Sequence, residues 1–560
     1  MSYGKLNSAA SEVVKQGSIG PIWSHGCEII RRIFVTVRDR NWQEVAPQQW
    51  DTEVDRGPGN ISITARHTSD LVDFAWRGEL RIGDEGREAT FSFTGRVPKD
   101  MDVCRLGLVV LHPVEWMVGS HLHARDSQSK QSLEVSSVIA PQPILHGIPG
   151  AIIQPFSEIR IAHPGFGQLD LQFKGDLFEL EDQRNWGDSS FKTYCTPLRL
   201  GFPRSMKSGT TITHQVDVRF KPPREVVSAS TARLEASTTA VPGSFPKIGR
   251  EWSPLPADPN QLGSEPRWNH IQLLADGTDE CVSRMRPLLE AVSPTRFDIA
   301  IRTKEPAHLR QALLLLSKHR ARVQRFFLYS ADAAVPAPKD FQRFRRELEE
   351  LPALTDVPVL AATQGYFVEF NRAVPSNEPY SGLAFPLTST VHSDDVETIV
   401  DNVATIRDIA DTTRKLLLGP LIAVAPLALY YPSNSPRQFP ARLARPWLVA
   451  LLIESALAGV SSVTLANDII AELRALPPER NEPSLSSLVD CSGFRVSRFD
   501  GALPPRTHAV VLESVDNSSC KILAANLSAS PQSLTFRAGA LHLSALRTVL
   551  ADIDLQRSAT

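Results

Sequence analysis

The chain has 560 residues, of which 42% are hydrophobic and 22% are charged, as in an ordinary globular protein. Its 60 basic and 62 acidic residues leave a net charge of −2, which gives no reason to expect nucleic acid or an anionic membrane as a partner. At ~100–200 residues per domain, this length predicts three to four domains. The six cysteines form no C-x-x-C pair, so neither a disulfide framework nor a zinc knuckle is expected.

Targeting segments are not apparent in the sequence. The N-terminal residues contain no apolar run of the kind that signal peptides carry. The most apolar segment, Leu416–Tyr431, is interrupted by glycine and proline, so we expect no membrane span. Together with the cysteine pattern, this predicts a cytoplasmic protein.

Residues 1–225 are predicted to form an antiparallel β-sandwich. Apolar and polar residues alternate in many short segments, and clusters of glycine, aspartate and proline separate these segments. Such alternation is typical of strands with one buried and one solvent-facing side. The clearest examples are Ile61–Ala65, Val72–Trp76, Ala89–Thr94, Leu169–Phe173 and Thr211–Phe220.

The rest of the chain changes pattern twice. Val226–Pro246 is rich in serine, threonine and alanine, and we interpret residues 226–262 as a linker or crossing strand. Strand-like and helix-like segments alternate over 263–484, which predicts a parallel sheet, either a (β/α)8 TIM-like barrel or an open sheet; its length favours the barrel. Residues 485–560 are strand-like again and predict a small C-terminal β domain. The fold class is therefore multidomain α+β.

Seven strands are expected in the central region, separated by four long helical segments. The strands are His270–Ala275, Phe297–Arg302, Val323–Tyr329, Val357–Ala362, Leu383–Leu387, Leu421–Ala425 and Val460–Leu465. The helical segments are Glu305–Arg320, Lys339–Leu351, Val396–Leu417 and Ala441–Ala458.

Acidic, basic and aromatic residues are concentrated between Phe178 and Tyr194. Carboxylates accept hydroxyl protons, cations donate hydrogen bonds, and aromatic faces cover C–H surfaces, so the combination suits a sugar-like polyol. The alternative is an ion-paired corner that joins two sheets. The candidate residues are Glu181 and Asp182 as catalytic groups, Arg184 and Lys192 as donors to an oxyanion or hydroxyl, and Trp186 and Asp188 as further substrate contacts.

Three further places carry candidate chemistry. His112 ends an apolar strand and is either a substrate contact or a histidine satisfied by the backbone. Glu369, with Asn371 and Arg372 beside it, and His392, with two aspartates after it, follow neighbouring strands of the predicted barrel. Because active sites form where barrel strands end, we expect Glu369 and His392 to be catalytic and Asn371 and Arg372 to bind substrate. The alternatives are an ion pair at Glu369 and helix capping by the aspartates.

Motifs of the common cofactor and metal enzymes are absent from the sequence. It contains no G-x-S-x-G, H-E-x-x-H, P-loop or G-x-G-x-x-G pattern. The pair His121 and His123 has no evident third ligand. We therefore expect neither a cofactor nor a metal.

Several segments resemble a known family. The segment FELEDQRNWGDSSFKTYCTPL, from Phe178 to Leu198, is similar to the signature segment of D-apionate lactonases, bacterial enzymes of apiose catabolism that open a sugar lactone. Further similar segments follow the same order along the chain: VRDRNW from Val37, RLGLVVLHP from Arg105, QPF from Gln154, GYFVEFNR from Gly365, VHSDD from Val391 and GVSSVTL from Gly459.

The resemblance implies a sandwich followed by a barrel and an enzyme that hydrolyses D-apionolactone, or a close analogue, to the free aldonic acid. A small-molecule sugar lactone is the expected partner. In this hypothesis the Glu181 to Lys192 cluster faces Glu369 and His392 across a polyol-sized pocket. The alternatives are a glycoside hydrolase and a catalytically degenerate carbohydrate-binding relative.

The barrel departs from the family pattern. An aromatic residue and a glutamate are expected after the strand that ends at Leu465, but Ala466, Asn467 and Asp468 stand there. Gln364 and the alanines at 361 and 362 replace other expected residues. If the barrel holds a pair of catalytic carboxylates, one member is therefore missing.

Overall fold

The computed structural model of the chain describes residues 14–15, 17–24, 27–54, 60–83, 87–142, 144–145, 148–223, 238–251, 267–302, 306–374, 378–416, 421–430, 439–476, 478–479, 481–500, 502–536 and 539–552. These residues form two compact units. The first unit holds the described residues up to 223 except Asn185–Asp188. The second unit holds Asn185–Asp188 and the described residues from 238 onward.

The first unit contains a nine-stranded antiparallel sheet in the order β12-β11-β15-β16-β20-β9-β8-β7-β6. Four of the five alternating segments found in the sequence lie wholly in its strands, and the fifth, Val72–Trp76, begins one residue before β8. The strands are β6 (Pro47–Val54), β7 (Asn60–Thr68), β8 (Asp73–Ile82), β9 (Glu88–Arg96), β11 (His121–Arg125), β12 (Lys130–Glu134), β15 (Glu158–His163), β16 (Gly167–Lys174) and β20 (Thr211–Lys221).

A second antiparallel sheet of the same unit has the order β1-β2-β5-β10-β18-β17, with β19 also paired to β10. Its strands are β1 (Val14–Lys15), β2 (Ser18–Ile19), β5 (Arg32–Asp39), β10 (Met101–Pro113), β17 (Glu179–Asp182), β18 (Ser190–Tyr194) and β19 (Arg204–Met206). The short pairs β3 (Ile22–Ser24) with β4 (Cys27–Ile30) and β13 (Ile144–Leu145) with β14 (Ile148–Pro149), and helix α1 (Val114–Met117), complete the unit.

One hydrophobic core joins the two sheets. Val35 and Leu108 of the second sheet belong to the same cluster of buried side chains as Phe74 and Phe91 of the first. The burial of β8 alternates residue by residue, because one face packs on this core and the other faces water. Packed antiparallel sheets of this kind form a β-sandwich, as predicted.

The second unit contains a closed barrel of eight parallel strands. The strands are β22 (Lys247–Glu251), β23 (His270–Ala275), β24 (Arg296–Ile301), β25 (Val323–Tyr329), β26 (Val359–Ala362), β27 (Gly382–Leu387), β28 (Leu421–Leu427) and β29 (Ser462–Leu465). Strand β22 closes the ring by pairing with both β23 and β29. The open-sheet alternative is therefore wrong.

Helices follow the barrel strands from β23 to β29. They are α2 (Asp279–Glu290), α3 (Pro306–Lys318), α4 (Pro338–Glu349), α5 (Phe367–Arg372), α6 (Val396–Asp401), α7 (Thr405–Leu416), α8 (Ala441–Leu457) and α9 (Asn467–Ala475). The segment after β22 includes residues 252–266, which lie outside the described residues, so the complete eightfold strand–helix repeat stays a prediction. The single predicted helix Val396–Leu417 is wrong, because a 3-10 turn at Asn402–Ala404 divides it.

Strand β22 was missed by the sequence analysis, which found only seven barrel strands. Its residues Lys-Ile-Gly-Arg-Glu carry three charges, and the strand has no apolar alternation. Gly249 is required there, because a Cβ atom would lie 2.3 Å from the ring of His270. A strand whose residues are determined by this close approach lacks the apolar pattern that would identify it in the sequence.

The remaining strands of the second unit form an antiparallel sheet in the order β21-β30-β31-β32-β35 and a hairpin of β33 with β34. Strands β21 and β22 both lie in the range 226–262, of which 226–237 and 252–262 are outside the described residues. The four-part domain division itself stays a prediction. The elements are β21 (Thr238–Ser244), α10 (Leu485–Asp490), β30 (Arg495–Phe499), β31 (Thr507–Glu513), β32 (Cys520–Asn526), β33 (Gln532–Phe536), β34 (Gly539–Leu543) and β35 (Arg547–Asp552).

The described residues include no helix that is both long enough and apolar enough to span a membrane.

A buried ion pair lies inside the barrel. Asp298 is fully buried and accepts hydrogen bonds from Arg325 Nε, at 3.1 Å, and from Arg325 Nη2. Arg325 also donates to Ser462 Oγ at 2.8 Å. A carboxylate at this depth is tolerated only with its cation present.

We expect Arg325→Leu to lower the thermal unfolding midpoint by the equivalent of about 3–5 kcal/mol, because the buried Asp298 loses its guanidinium partner. Arg320→Leu is the matched control. Its partner Asp356 has a side chain 70% exposed, so water screens this pair and its loss should change the midpoint far less. Equal losses in calorimetry of the two variants would contradict a special role for the buried pair.

Candidate active site

Residues Asn185–Asp188 pack with the second unit although the strands on both sides of them belong to the first. Gln183–Trp186 form a 3-10 turn, and Gly187 follows with φ of +89°. A Cβ atom on Gly187 would lie 3.1 Å from Leu387, the last residue of β27, and 3.4 Å from the oxygen of Thr388. Glycine therefore lets this segment lie against the carboxyl end of a barrel strand, where active sites form.

Asp188 and His392 form a hydrogen-bonded dyad within the second unit. His392 Nδ1 donates to Asp188 Oδ2 at 2.5 Å. The other carboxylate oxygen, Oδ1, accepts from Asn402 Nδ2 at 3.1 Å, and Asn402 also donates to the oxygen of Ser389 at 3.0 Å. The Asp188 side chain is only 4% exposed, whereas that of His392 is 22% exposed. Both carboxylate oxygens of Asp188 therefore accept hydrogen bonds, whereas the imidazole of His392 is partly exposed.

The dyad fixes the tautomer of the imidazole. An ionised carboxylate only accepts hydrogen bonds, so Nδ1 carries the proton and neutral His392 has its lone pair on Nε2. Within the described part of the chain, Nε2 has no hydrogen-bond partner. In a partly exposed imidazole, an Nε2 oriented by an aspartate on the opposite nitrogen is the arrangement of a general base that activates a hydroxyl or water.

Aromatic rings and a cation lie beside the dyad. The Trp186 ring lies 5.9 Å from the His392 ring, edge to face, and 6.2 Å from the Tyr366 ring. The guanidinium carbon of Arg372 lies 5.4 Å from the Trp186 centroid. Aromatic faces with a few polar groups are the usual lining of a sugar site.

Six of the candidate residues predicted from the sequence therefore lie in one cluster of the second unit. Asn371 Nδ2 donates to Asn185 Oδ1 at 2.8 Å, which ties helix α5 to the inserted segment. The six residues are Trp186, Asp188, Glu369, Asn371, Arg372 and His392.

Both structural alternatives expected for this region, an ion pair at Glu369 and helix capping by an aspartate, are present in the structure. Glu369 Oε1 accepts from Arg372 Nη1 at 3.0 Å, so its carboxylate is engaged in an ion pair on α5. Asp395 caps helix α6, because its side chain accepts from the N–H of Thr398 at 2.9 Å. His392 is therefore a better candidate for the base than Glu369.

The candidate residues of the first unit form a buried ion-pair network. Lys192 Nζ lies 2.6 Å from Glu181 Oε2, and Gln142 donates to Glu181 at 3.0 Å. Burial lowers the pKa of Lys192 to about 8. Asp182 pairs with Arg184 at 2.7 Å.

Arg184 is fully buried and also donates to the oxygen of Ser137 at 3.1 Å. These contacts favour the ion-paired corner over substrate contact for Asp182 and Arg184. The placement of the first-unit cluster opposite Glu369 and His392 stays a prediction.

His112 lies in the core of the first unit. Its Nε2 is 2.8 Å from Thr193 Oγ1, and its exposed fraction is 1%. Burial lowers the pKa of His112 to about 3, so the ring is neutral and a weak base near pH 7. This geometry favours a structural histidine rather than the predicted substrate contact.

Two acids of the barrel were missed by the sequence analysis. Glu251 ends strand β22, and burial together with the charge of Asp468 raises its pKa to about 7. Asp468 Oδ2 accepts from the N–H groups of Leu429, at 3.0 Å, and of Tyr430, at 3.2 Å. Asp468 stands in the segment that lacks the expected glutamate. Glu251 was not expected to be a site residue, because β22 was not recognised as a barrel strand.

Comparison with known proteins gives matches in both units. Residues 5–223 match a family model described as D-apionate lactonase, N-terminal domain, and residues 328–436 match one described as D-apionate lactonase, TIM barrel domain. A curated D-apionate lactonase from Brucella anthropi is 26% identical over 253 residues, which are 42% of this chain. The match spans 38% of the length of that relative.

Solved structures give looser matches. An α-galactosidase of family GH36 from Geobacillus stearothermophilus is 10% identical, with 93% of this chain and 88% of that chain covered and a TM-score of 0.29. A glucosidase from Croceicoccus marinus is 12% identical, with 57% and 86% covered and a TM-score of 0.34.

We expect Glu251→Gln to stabilise the protein at pH 8 but not at pH 4.5. Because the folded-state pKa is raised from 4.5 to about 7, the folded protein binds the proton more tightly than the unfolded chain does. The penalty of ionising Glu251 is absent below pH 4.5, grows through pH 7 and then stays constant. At 1.36 kcal/mol per pKa unit, the gain at pH 8 is on the order of 3 kcal/mol.

Thermal unfolding midpoints at the two pH values test this expectation. Glu349→Gln, at an exposed position of helix α4, is the control and should change neither midpoint. A stabilisation by Glu251→Gln that is the same at both pH values would contradict the buried-acid interpretation.

Proposed function

We propose that this chain, which belongs to the D-apionate lactonase family, opens the ring of a sugar-acid lactone by hydrolysis. The observation that carries the proposal is the Asp188–His392 dyad beside Trp186, at the carboxyl ends of the barrel strands. The substrate proposed is D-apionolactone or a close analogue, and the product is the free aldonic acid.

In the proposed mechanism, His392 Nε2 removes a proton from water while the water oxygen attacks the lactone carbonyl carbon. The C=O π electrons move to the carbonyl oxygen, which becomes the oxyanion of a tetrahedral intermediate. Asp188 stabilises the imidazolium that forms, because its carboxylate accepts from Nδ1. The intermediate then reforms C=O, the ring C–O bond breaks, and the imidazolium proton passes to the departing ring oxygen.

Arg372 is the proposed electrostatic partner of the oxyanion. Its guanidinium lies over the Trp186 ring, which also contacts the His392 ring. An Arg at a developing negative charge lowers the barrier most in a site that excludes water. Its ion pair with Glu369 holds the guanidinium in place. Trp186 and Tyr366 supply rings for the C–H faces of the sugar.

The histidine route favours a lactonase over a glycoside hydrolase. Glycoside hydrolysis usually requires two carboxyl groups on opposite sides of the scissile bond. The expected glutamate after β29 is missing, and Asp468 in that segment is engaged with backbone N–H groups. Hydrolysis of a lactone by water needs one base and an oxyanion donor, so this loss does not affect the proposed reaction.

We expect His392→Gln to lower kcat for D-apionolactone by about 10²–10⁴-fold, because the general base is lost. Acid release followed with a pH indicator measures the rate. His508→Gln is the matched control, since His508 Nδ1 also lies close to a carboxylate, 2.6 Å from Glu454, in another part of the second unit. That variant should keep native kcat. Equal losses in both variants, or release of reducing sugar from aryl glycosides by the native protein, would contradict the proposal.

Glu181→Gln distinguishes the two clusters. We expect it to leave kcat within a few-fold of native but to lower the unfolding midpoint by the equivalent of about 3 kcal/mol, because Lys192 loses its buried counterion. Glu79→Gln removes the exposed partner of Arg81 and should change neither quantity. A loss of kcat as large as that of His392→Gln would instead make Glu181 the catalytic acid or base.

A further inference from the structure

Three side chains with metal-binding atoms converge in the first unit, and none of them belongs to the candidate active site. One ligand atom each of Asp176, Cys195 and His214 lies within 4.8 Å of the other two. We propose that these residues bind one divalent cation of intermediate softness, for which Zn²⁺ is the best match. Thiolate, imidazole and carboxylate are the ligand types that Zn²⁺ takes in proteins.

The sulfur and nitrogen already have the separation that coordination needs. Cys195 Sγ lies 3.4 Å from His214 Nδ1. Zn–S and Zn–N bonds of ~2.3 and ~2.1 Å at a tetrahedral angle place these atoms about 3.6 Å apart. The two ligands therefore need little movement to bind one ion.

The carboxylate is positioned by its neighbours. Asp176 Oδ1 accepts from the N–H of Leu177 at 2.8 Å, and Oδ2 accepts from the hydroxyl of Thr196. Arg204 Nη1 lies 4.0 Å from Asp176 Oδ2. Because the positive charge of Arg204 repels a cation, the thiolate and the imidazole must contribute most of the affinity for the metal ion.

The backbone makes room for the sulfur and the imidazole. Gly107 has φ of +153°, and a Cβ atom there would lie 2.4 Å from Cys195 Sγ and 3.0 Å from His214 Nδ1. Gly175 has φ of +98°, and its Cβ would lie 2.8 Å from His214 Cδ2. Two glycines in conformations unfavourable to other residues thus border the same pair of ligands.

A cavity adjoins two of the three residues, Asp176 and His214. It has a volume of about 270 Å³ and is lined by Asp176, Thr196, Arg204 and His214, among others. At ~30 Å³ per water in the liquid, it has room for several waters. With three protein ligands, the fourth position of a tetrahedral ion is left for a water from this cavity.

The proposed ion links the two sheets of the sandwich. Cys195 directly follows β18 of the seven-stranded sheet, and His214 lies in β20 of the nine-stranded sheet. An ion bound by both stabilises the folded first unit, because the unfolded chain does not hold the ligands together. This role is independent of the proposed lactone hydrolysis. It also departs from the expectation of no metal, because the three ligands lie far apart in sequence and form no local motif.

The full-length native protein tests the site directly. After removal of metals with a chelator, we expect about one Zn²⁺ or Co²⁺ to bind per chain, the unfolding midpoint to rise by several degrees, and Co²⁺ to give a thiolate-to-metal absorption band. Cys195→Ser should lose the band, and His214→Gln should lower the affinity at least tenfold. Cys491→Ser removes another buried thiol in the second unit and should bind as the native protein does.

Two results would overturn the proposal. The first is that the native protein binds neither Zn²⁺ nor Co²⁺ and its unfolding midpoint does not change. The three residues would then be only a hydrogen-bonded part of the core. The other is a Cys195→Ser variant with the native cobalt spectrum, which places the ion elsewhere. Because the native protein alone supplies the stoichiometry and the spectrum, a failure of either variant to fold does not remove the test. Loss of lactone hydrolysis would leave these metal readouts unchanged.

Discussion

The candidate active site depends on the buried carboxylate of Asp188. Both of its oxygens are engaged, one by His392 and the other by Asn402, and its side chain is almost inaccessible to water. A charge at that depth is stable only while these donors are in place. The position of the His392 imidazole, which is the proposed base, therefore depends on the buried carboxylate of Asp188.

Asp188 is buried because the short segment that contains it packs with the second unit and not with the strands that flank it in sequence. Asn185–Asp188 lie in the sequence between β17 and β18 of the first unit but pack with the second. Gly187 permits the approach to Leu387, and Asn185 accepts a hydrogen bond from Asn371. The dense cluster of charges in the sequence from Glu179 to Lys192 therefore has two functions. Its ends form buried ion pairs of the sandwich, and its centre supplies Trp186 and Asp188 to the candidate site.

Much of the fold could be predicted from the sequence, because alternation and helical spacing are strong wherever one face is buried. The segments around Phe74 and Phe91 show this alternation, and the strands containing them were found. Strand β22 was not found, because its sequence is adapted to the ring of His270 rather than to an apolar face. Asn402 was missed because it was placed inside a continuous helix, whereas it begins the turn that divides that helix.

The candidate site was predicted in its residues but not in its pairing. His392 and Asp188 were each selected, yet they are far apart in sequence, and no local pattern indicates a hydrogen bond between them. The sequence also did not reveal which of the selected side chains are buried. Arg184 and His112 were selected for chemistry, but the structure surrounds both with the core. Residue type and spacing therefore identified the chemical groups, and tertiary packing decided which of them remain available.

A double-mutant cycle tests the coupling of Asp188 and His392 most directly. It compares kcat/KM for D-apionolactone in the native protein, Asp188→Asn, His392→Gln and the double variant. If Asp188 acts through the imidazole, the double variant is no slower than His392→Gln alone, because the aspartate has nothing left to orient. Losses that multiply in the double variant would show that the two residues act independently and would contradict the dyad as the catalytic unit.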